Sequence, residues 1–247
     1  MAGRSKRLNE HTWVERSLLQ ALSDDLALPL LHVKTSLELI EEGRLSKSLR
    51  TQFQNLSLSA EAGLQLLEAY RLALDHIHAR QLALEPVVVG AVLQDVAHGL
   101  TPFAKQYATE LEVDIRPGLR PVLANQPNLV AAMQCLAISL IRTQAAQAEA
   151  AKSSRLVFGA HRANAQTVTA GLFGNLKGLS ENAIRSARAL AGRAKQPLPA
   201  VPLGSAGGVL VADLLCSAMW QPLRTGSHNN LSGLVTDFMV SKQMLLI

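Results

Sequence analysis

Several small groups of residues in this sequence have types and spacings that chemistry uses. Asp24 and Asp25 are adjacent carboxylates shortly before Pro29-Leu30, and His32 follows Asp24 by eight positions, on a related but rotated direction of a helix. An imidazole there could serve as a nucleophile or a proton carrier, although a lone His beside a Pro kink more often packs or faces solvent. Asp75, His76 and His78 suggest a metal, but i, i+2 spacing spreads two imidazoles over different helix faces. A His near a helix C-terminus is favourable in any case. Cys135 and Cys216 form no CxxC and no Cys/His pattern of zinc spacing, and each lies in an apolar run where a free thiol behaves as a small hydrophobe. Gly204-Ser205-Ala206-Gly207-Gly208 precedes an apolar segment, and amides at a helix N-terminus attract phosphate. The same run also serves a turn that needs close packing.

The elements that would position these groups follow from periodicity. Apolar residues at Val14, Leu18, Leu22, Leu26, Leu30, Val33, Leu37 and Ile40 predict one helix over 9–42, anchored by Trp13, kinked at Pro29 and ended by Gly43. A second helix is predicted over 46–82, with Phe53, Leu56, Ala60, Leu64, Leu67, Leu74 and Ile77 on its stripe. Two such helices make an antiparallel hairpin that cannot bury both stripes alone, so a homodimeric four-helix bundle is expected. Glu85-Pro86 breaks the pattern. Beyond it, strands are predicted at 87–89, 111–116, 122–124, 155–160, 166–173, 222–225 and 234–240. Helices are predicted at 90–109, 126–148, 180–194 and 208–220. Helices segregated onto one face of a mixed sheet describe an α+β sandwich. The expected organisation is a basic tail over 1–8, a helical hairpin over 9–84 and the sandwich over 85–247.

Composition narrows the function classes. The 247 residues are 48% hydrophobic and 17% charged, which excludes a disordered chain. Two cysteines exclude a disulfide scaffold. The N-terminus has bases but no apolar run behind them, and the apolar stretch 129–141 contains Gln134 and is too short to span a bilayer. A soluble, cytoplasmic protein without a membrane partner is expected. Charge is uneven: residues 1–114 hold 15 acids against 11 bases, and the remainder holds 13 bases against Glu149, Glu181, Asp213 and Asp237. Few carboxylates are left there for Mg²⁺. The bases are scattered and the whole chain has nine aromatics, which argues against nucleic acid as a partner.

Four strings, in this order, resemble the core of sensor histidine kinases: a dimerising, phospho-accepting hairpin followed by a GHKL (Bergerat) ATPase sandwich. Leu22–Val33, LSDDLALPLLHV, is similar to the acceptor motif. Pro29, Leu30 and the acid Asp25 are kept, but Asp24 stands where the resemblance implies the accepting His, and Leu28 where a Thr or Asn would position a water. Leu129–Thr143, LVAAMQCLAISLIRT, resembles the N-box helix; Cys135 and Ser139 hold the two Asn positions, while Arg142 matches the basic one. TVTAGLFGNLKG resembles the D-x-G-x-G turn, with Gly174 kept, Leu172 at the adenine-reading Asp and Leu176 at the second Gly. GSAGGVLVADLL resembles the G-x-G-x-G-L turn, with Gly204 and Gly208 kept and Ala206 in the middle. Trp220 replaces a Gly of the Met-Gly-Gly turn, where it would alter the pocket rim or fill the pocket.

The resemblance thus implies a degenerate, pseudo-histidine-kinase core. No catalytic residue is expected, and the degenerate nucleotide pocket would comprise Ser139, Arg142, Gly174, Gly204 and Gly208. Neither a metal nor Mg-ATP bound in the usual way is expected. The partner-binding face would be Asp24, Asp25, Leu28, Leu31 and His32, receiving a response regulator or a histidine kinase. The alternative is a phosphorelay enzyme, a histidine phosphotransferase or atypical kinase using His32. A purely structural dimerisation module is a third class.

Overall fold

The computed structural model describes residues 26, 33, 47–78, 82–147, 154–174 and 206–242, and Leu26 and Val33 are helical. The described chain runs α1 (Lys47–His78), β1 (Glu85–Val87), α2 (Val89–Gln106), β2 (Thr109–Ile115), β3 (Val122–Ala124), α3 (Gln126–Gln147), β4 (Ser154–Arg162), β5 (Thr167–Gly174), α4 (Ala206–Ala218), β6 (Arg224–His228) and β7 (Leu231–Met239). The predicted helix over 180–194 lies outside the described residues, as do Asp24, Asp25, Leu28, Leu31, His32, Leu176 and Gly204. No described helix is long and apolar enough to cross a membrane.

Five strands form a mixed sheet in the order β2-β4-β5-β7-β6, with β2 and β4 parallel and the other pairs antiparallel. β1 and β3 pair separately, Pro86 opposite Leu123. Strand alternation divides the side chains between two faces. Leu156, Phe158, Ala160, Val168, Ala170, Leu172, Leu234 and Phe238 enter the core shared with the helices, whereas Val157, Phe173 and Val235 form a small cluster on the other face. α1, α2, α3 and α4 all contribute to the large core, which makes the described residues an α+β sandwich with these helices on one side of a mixed sheet.

α1 carries two apolar stripes. Ala62, Leu66, Ala69, Tyr70 and Ala73 are buried in the sandwich core against α3 and α4, the three alanines letting the helix approach closely. The stripe expected from periodicity is the other one, and there Phe53, Leu64 and Leu67 are exposed, Leu64 to 66%. The second stripe went unpredicted because small residues weigh little in a hydrophobic pattern.

The end of the chain differs from expectation. The predicted strand at 222–225 is instead β6 at 224–228, joined to β7 by a tight hairpin whose two turn residues, Asn229 and Asn230, have φ of 45° and 64°. Asn tolerates this left-handed region, and such turns match the twist of paired strands. α4 ends in a Schellman motif: the Trp220 amide donates to Ser217 and the Gln221 amide to Cys216. Trp220 holds the left-handed position at φ 60°.

Close strand approach depends on glycine. A Cβ at Gly171 would overlap the Leu234 carbonyl and lie 2.7 Å from the Val235 Cα, and one at Gly233 would overlap the Leu172 carbonyl. Both lie within the β5–β7 ladder. Gly171→Ala is therefore expected to lower the unfolding free energy by about 3 kcal/mol, the upper end of ordinary overpacking because the obstacle is backbone. Urea denaturation checks it, and a loss below about 0.5 kcal/mol would contradict the close approach.

Candidate functional site

α3 is the stage on which two of the four motifs meet. Cys135 and Ser139, one turn apart on its apolar side, are 1% and 2% exposed. What covers them is α4: a Cβ at Gly208 would overlap the Ser139 hydroxyl oxygen and lie 3.0 Å from the Cys135 carbonyl. The retained glycine of the fourth motif thus lets the first turn of α4 lie directly on the N-box-like face of α3. Leu172, in the adenine-Asp position, is fully buried in the same core on the helix-facing side of β5. Gly174 at the end of β5 is buried too, and a Cβ there would come within 3.2 Å of the Gln144 side-chain amide of α3.

Arg142 behaves differently. It is half-buried, and its guanidinium acts on Tyr107 at the C-terminal end of α2. Burial pushes that phenol above its ordinary value and the Arg142 charge works against it. Cys216 on α4 is fully buried, which holds its thiol well above the usual range, with the Asp213 carboxylate adding to the effect. Cys216 therefore offers no reactive thiolate, and Cys135 is likewise buried. Trp220 departs from expectation: its indole is 83% exposed and fills no pocket. The left-handed backbone at the helix end directs the side chain away from the core. Two open surface clefts, one bounded by Thr51, Asn55, Lys105 and Gln106 and the other by Glu68, Glu85, Gln126 and Gln134, include none of the motif residues.

A second polar constellation occupies the opposite face of the sheet, where the motifs gave no hint of one. His161 on β4 and His228 on β6 face each other with Nδ1 atoms 3.1 Å apart and rings stacked at 5.2 Å. His228 Nε2 lies 2.8 Å from Asp114 Oδ2 of β2, and the Asn229 side-chain amide donates to the same oxygen. Arg116 donates to Asn229 Oδ1 at 2.6 Å. Alongside, Arg224 donates two hydrogen bonds of 2.6 Å to Asp237, which also accepts from Thr169 at 2.5 Å. The Arg224 guanidinium holds the Asp237 carboxyl below the usual carboxylate range. The discoverable signal was the Asn-Asn pair ahead of the strand predicted over 234–240, since Asn tolerates the left-handed backbone of a hairpin turn that brings His228 over the sheet.

The Gly208 contact yields a test. Gly208→Ala is expected to destabilise the protein by about 1–3 kcal/mol through overpacking between α3 and α4. Adding Ser139→Ala, which removes the overlapping hydroxyl, is expected to restore part of that loss. Equal denaturation midpoints for Gly208→Ala and the unaltered chain would show that the helices do not meet there.

No protein-family model matches the chain, and no curated protein does. Among solved structures, the chain is similar to full-length ShkA in complex with AMPPNP, at 16% identity and a TM-score of 0.48 over 93% of this chain and 45% of that one. It thus spans less than half the length of ShkA. It is also similar to the Acinetobacter baumannii histidine kinase AdeS, at 16% identity and a TM-score of 0.44 over 88% of this chain and 98% of that one. A third match is the mycobacterial sensor histidine kinase MprB, at 12% identity and a TM-score of 0.44 over 64% and 97%. AdeS and MprB are histidine kinases by name, the family whose motif order this sequence resembles.

Proposed function

We propose that this chain is a histidine-kinase-like signalling protein without catalysis, which dimerises and docks a response regulator or a kinase through a helical hairpin over 9–84, with residues 85–247 as a degenerate ATPase-like unit. The observation that most supports loss of catalysis is the burial of Cys135, Ser139, Leu172, Gly174 and Gly208 in or against one core. A metal-bound nucleotide needs oxygen or amide ligands within its reach. At these positions the side chains are apolar, absent or covered by α4. The retained glycine is explained by packing alone. A Leu at the adenine-reading position offers no hydrogen bond to an amino group.

Dimerisation is supported by the outward stripe of α1. Phe53, Leu64 and Leu67 share a face and are left exposed, while the opposite stripe is already occupied by the sandwich. Burial of such side chains stabilises association by roughly 25 cal/mol per Å² of apolar surface. A second copy presenting the same face makes an isologous interface. The docking face around Asp24, Asp25, Leu28, Leu31 and His32 is carried by the motif resemblance.

The direct experiment titrates the protein with Mg-ATP while following thermal unfolding, since a ligand of the native state raises the melting temperature. No shift is expected up to about 1 mM. A shift at sub-millimolar ATP would sink the non-catalytic reading, and acid-labile labelled phosphate on the protein would favour phosphotransfer at His32 instead. For the dimer, Leu64→Asp is expected to give a monomer by sedimentation with a fold stability changed by no more than about 0.5 kcal/mol, as for an exposed site. A Leu64→Asp protein that still sediments as a dimer would remove α1 from the interface.

A further inference from the structure

The face of the sheet turned away from the helices carries a feature that the proposed function does not use. β2 and β6 are the two edges of a five-stranded sheet, and in a flat sheet they would lie roughly 19 Å apart. Here Asp114 of β2 hydrogen-bonds both His228 and Asn229 at the β6–β7 turn. The hairpin therefore curls over the outer face until the two edges meet. Gly159 permits this, since a Cβ there would lie 2.7 Å from the Phe173 ring and 3.1 Å from the His228 ring.

The contact is held by a small number of protons. A carboxylate only accepts, so His228 Nε2 carries a hydrogen toward Asp114. In the neutral ring its Nδ1 is then a lone pair, and His161 Nδ1–H donates to it across 3.1 Å. One hydrogen fits between the two facing nitrogens. A second would set two N–H groups against each other and turn one of the rings into an imidazolium. Two imidazoles with no third ligand group among the described residues do not make a metal centre, so the chemistry of the pair is that of protons.

We propose that the His161–His228 pair is a pH-sensitive clasp: a single shared hydrogen keeps the β6–β7 turn closed on β2 and β4, and uptake of another proton releases it. Every neighbouring strand supplies groups around the pair. Asp114 and Arg116 face it from the end of β2, Arg224 from β6 and Asp237 from β7, while β5 supplies Phe173 and Thr169. Arg155 and Glu112 pair with each other farther along β4 and β2. Asp237 is occupied by Arg224 and Thr169, and Asp114 already serves His228, so little negative charge remains for an imidazolium at His161. Burial holds His161 below its ordinary value of 6.5, with His228, Arg224 and Arg116 adding to this and Asp237 opposing it.

The sign follows from linkage. The open form takes up the proton that the closed form refuses, so closure is complete above about pH 6.5 and weakens as pH falls below it. Opening should increase about tenfold per pH unit while one proton is taken up. The test is amide hydrogen exchange of the full chain at pH 7.5 and 5.5, corrected for intrinsic rates. Expected is about tenfold faster exchange at Leu231 and its turn, with the Ala170 and Leu172 amides of the central strand unchanged. His161→Gln keeps a donor toward His228 without titrating, and should abolish the difference. An equal response in His161→Gln, or a turn whose exchange is the same at both pH values, would overturn the proposal. Nitrogen-15 spectra of the histidine rings in the unaltered protein give an independent reading. Both imidazoles fully protonated while the turn stays protected would likewise overturn it.

Discussion

The helix layer of this protein depends on the absence of one side chain. Where α4 crosses α3, the Ser139 hydroxyl occupies the space that a Cβ of residue 208 would need. Interiors pack at crystal-like density, so a contact this close leaves no freedom for a ligand between the two helices. α3 is apolar on almost every side over 129–141, as a helix must be when it is covered by α1, α2, α4 and the sheet together. The position of α4 on α3 consequently decides what Cys135 and Ser139 can meet. The same glycine that could open an anion site at a helix N-terminus serves here to close a core.

The sheet shows the complementary constraint. Its helix side is apolar but for a few polar residues such as the buried Thr236, and its other side combines a few apolar residues with ionic and imidazole pairs that reach across strands. Glycines at 159, 171 and 233 allow neighbours to approach far enough for the sheet to curl. Polar side chains then link the two edge strands over the outer face, Asp114 of β2 reaching His228 of β6.

Most of the architecture was legible from periodicity. Strands β3, β4 and β5 and helices α2, α3 and α4 fall within a few residues of where apolar spacing puts them, because each buries a continuous apolar face. β6 did not, and the reason is physical: Arg224-Thr225-Gly226-Ser227-His228 has no apolar alternation, its outward side being committed to Asp237 and Asp114. The stripe of α1 that joins the core was missed because Ala62, Ala69 and Ala73 contribute shape rather than hydrophobicity. At the candidate site, the types of residues 135, 139 and 172 were readable from motif order. Their enclosure by α4 was not, since it depends on the distance between two helices separated by some sixty residues of chain. That the Trp220 indole is exposed and does not fill a pocket was not legible, because its direction is set by a left-handed backbone that only the helix-terminating hydrogen bonds reveal.

The two stripes of α1 have a geometric consequence. Successive residues of a helix turn by about 100°, so rolling α1 by even one residue would lift Leu66 and Tyr70 out of the sandwich and drive the Leu64 side toward it. The azimuth of the helix is therefore locked to α3 and α4, and through α3 to the sheet. Whatever settles on the Phe53–Leu67 face meets it at a fixed bearing relative to β5 and α3, and a displacement applied there can travel along the helix or bend it but cannot spin it.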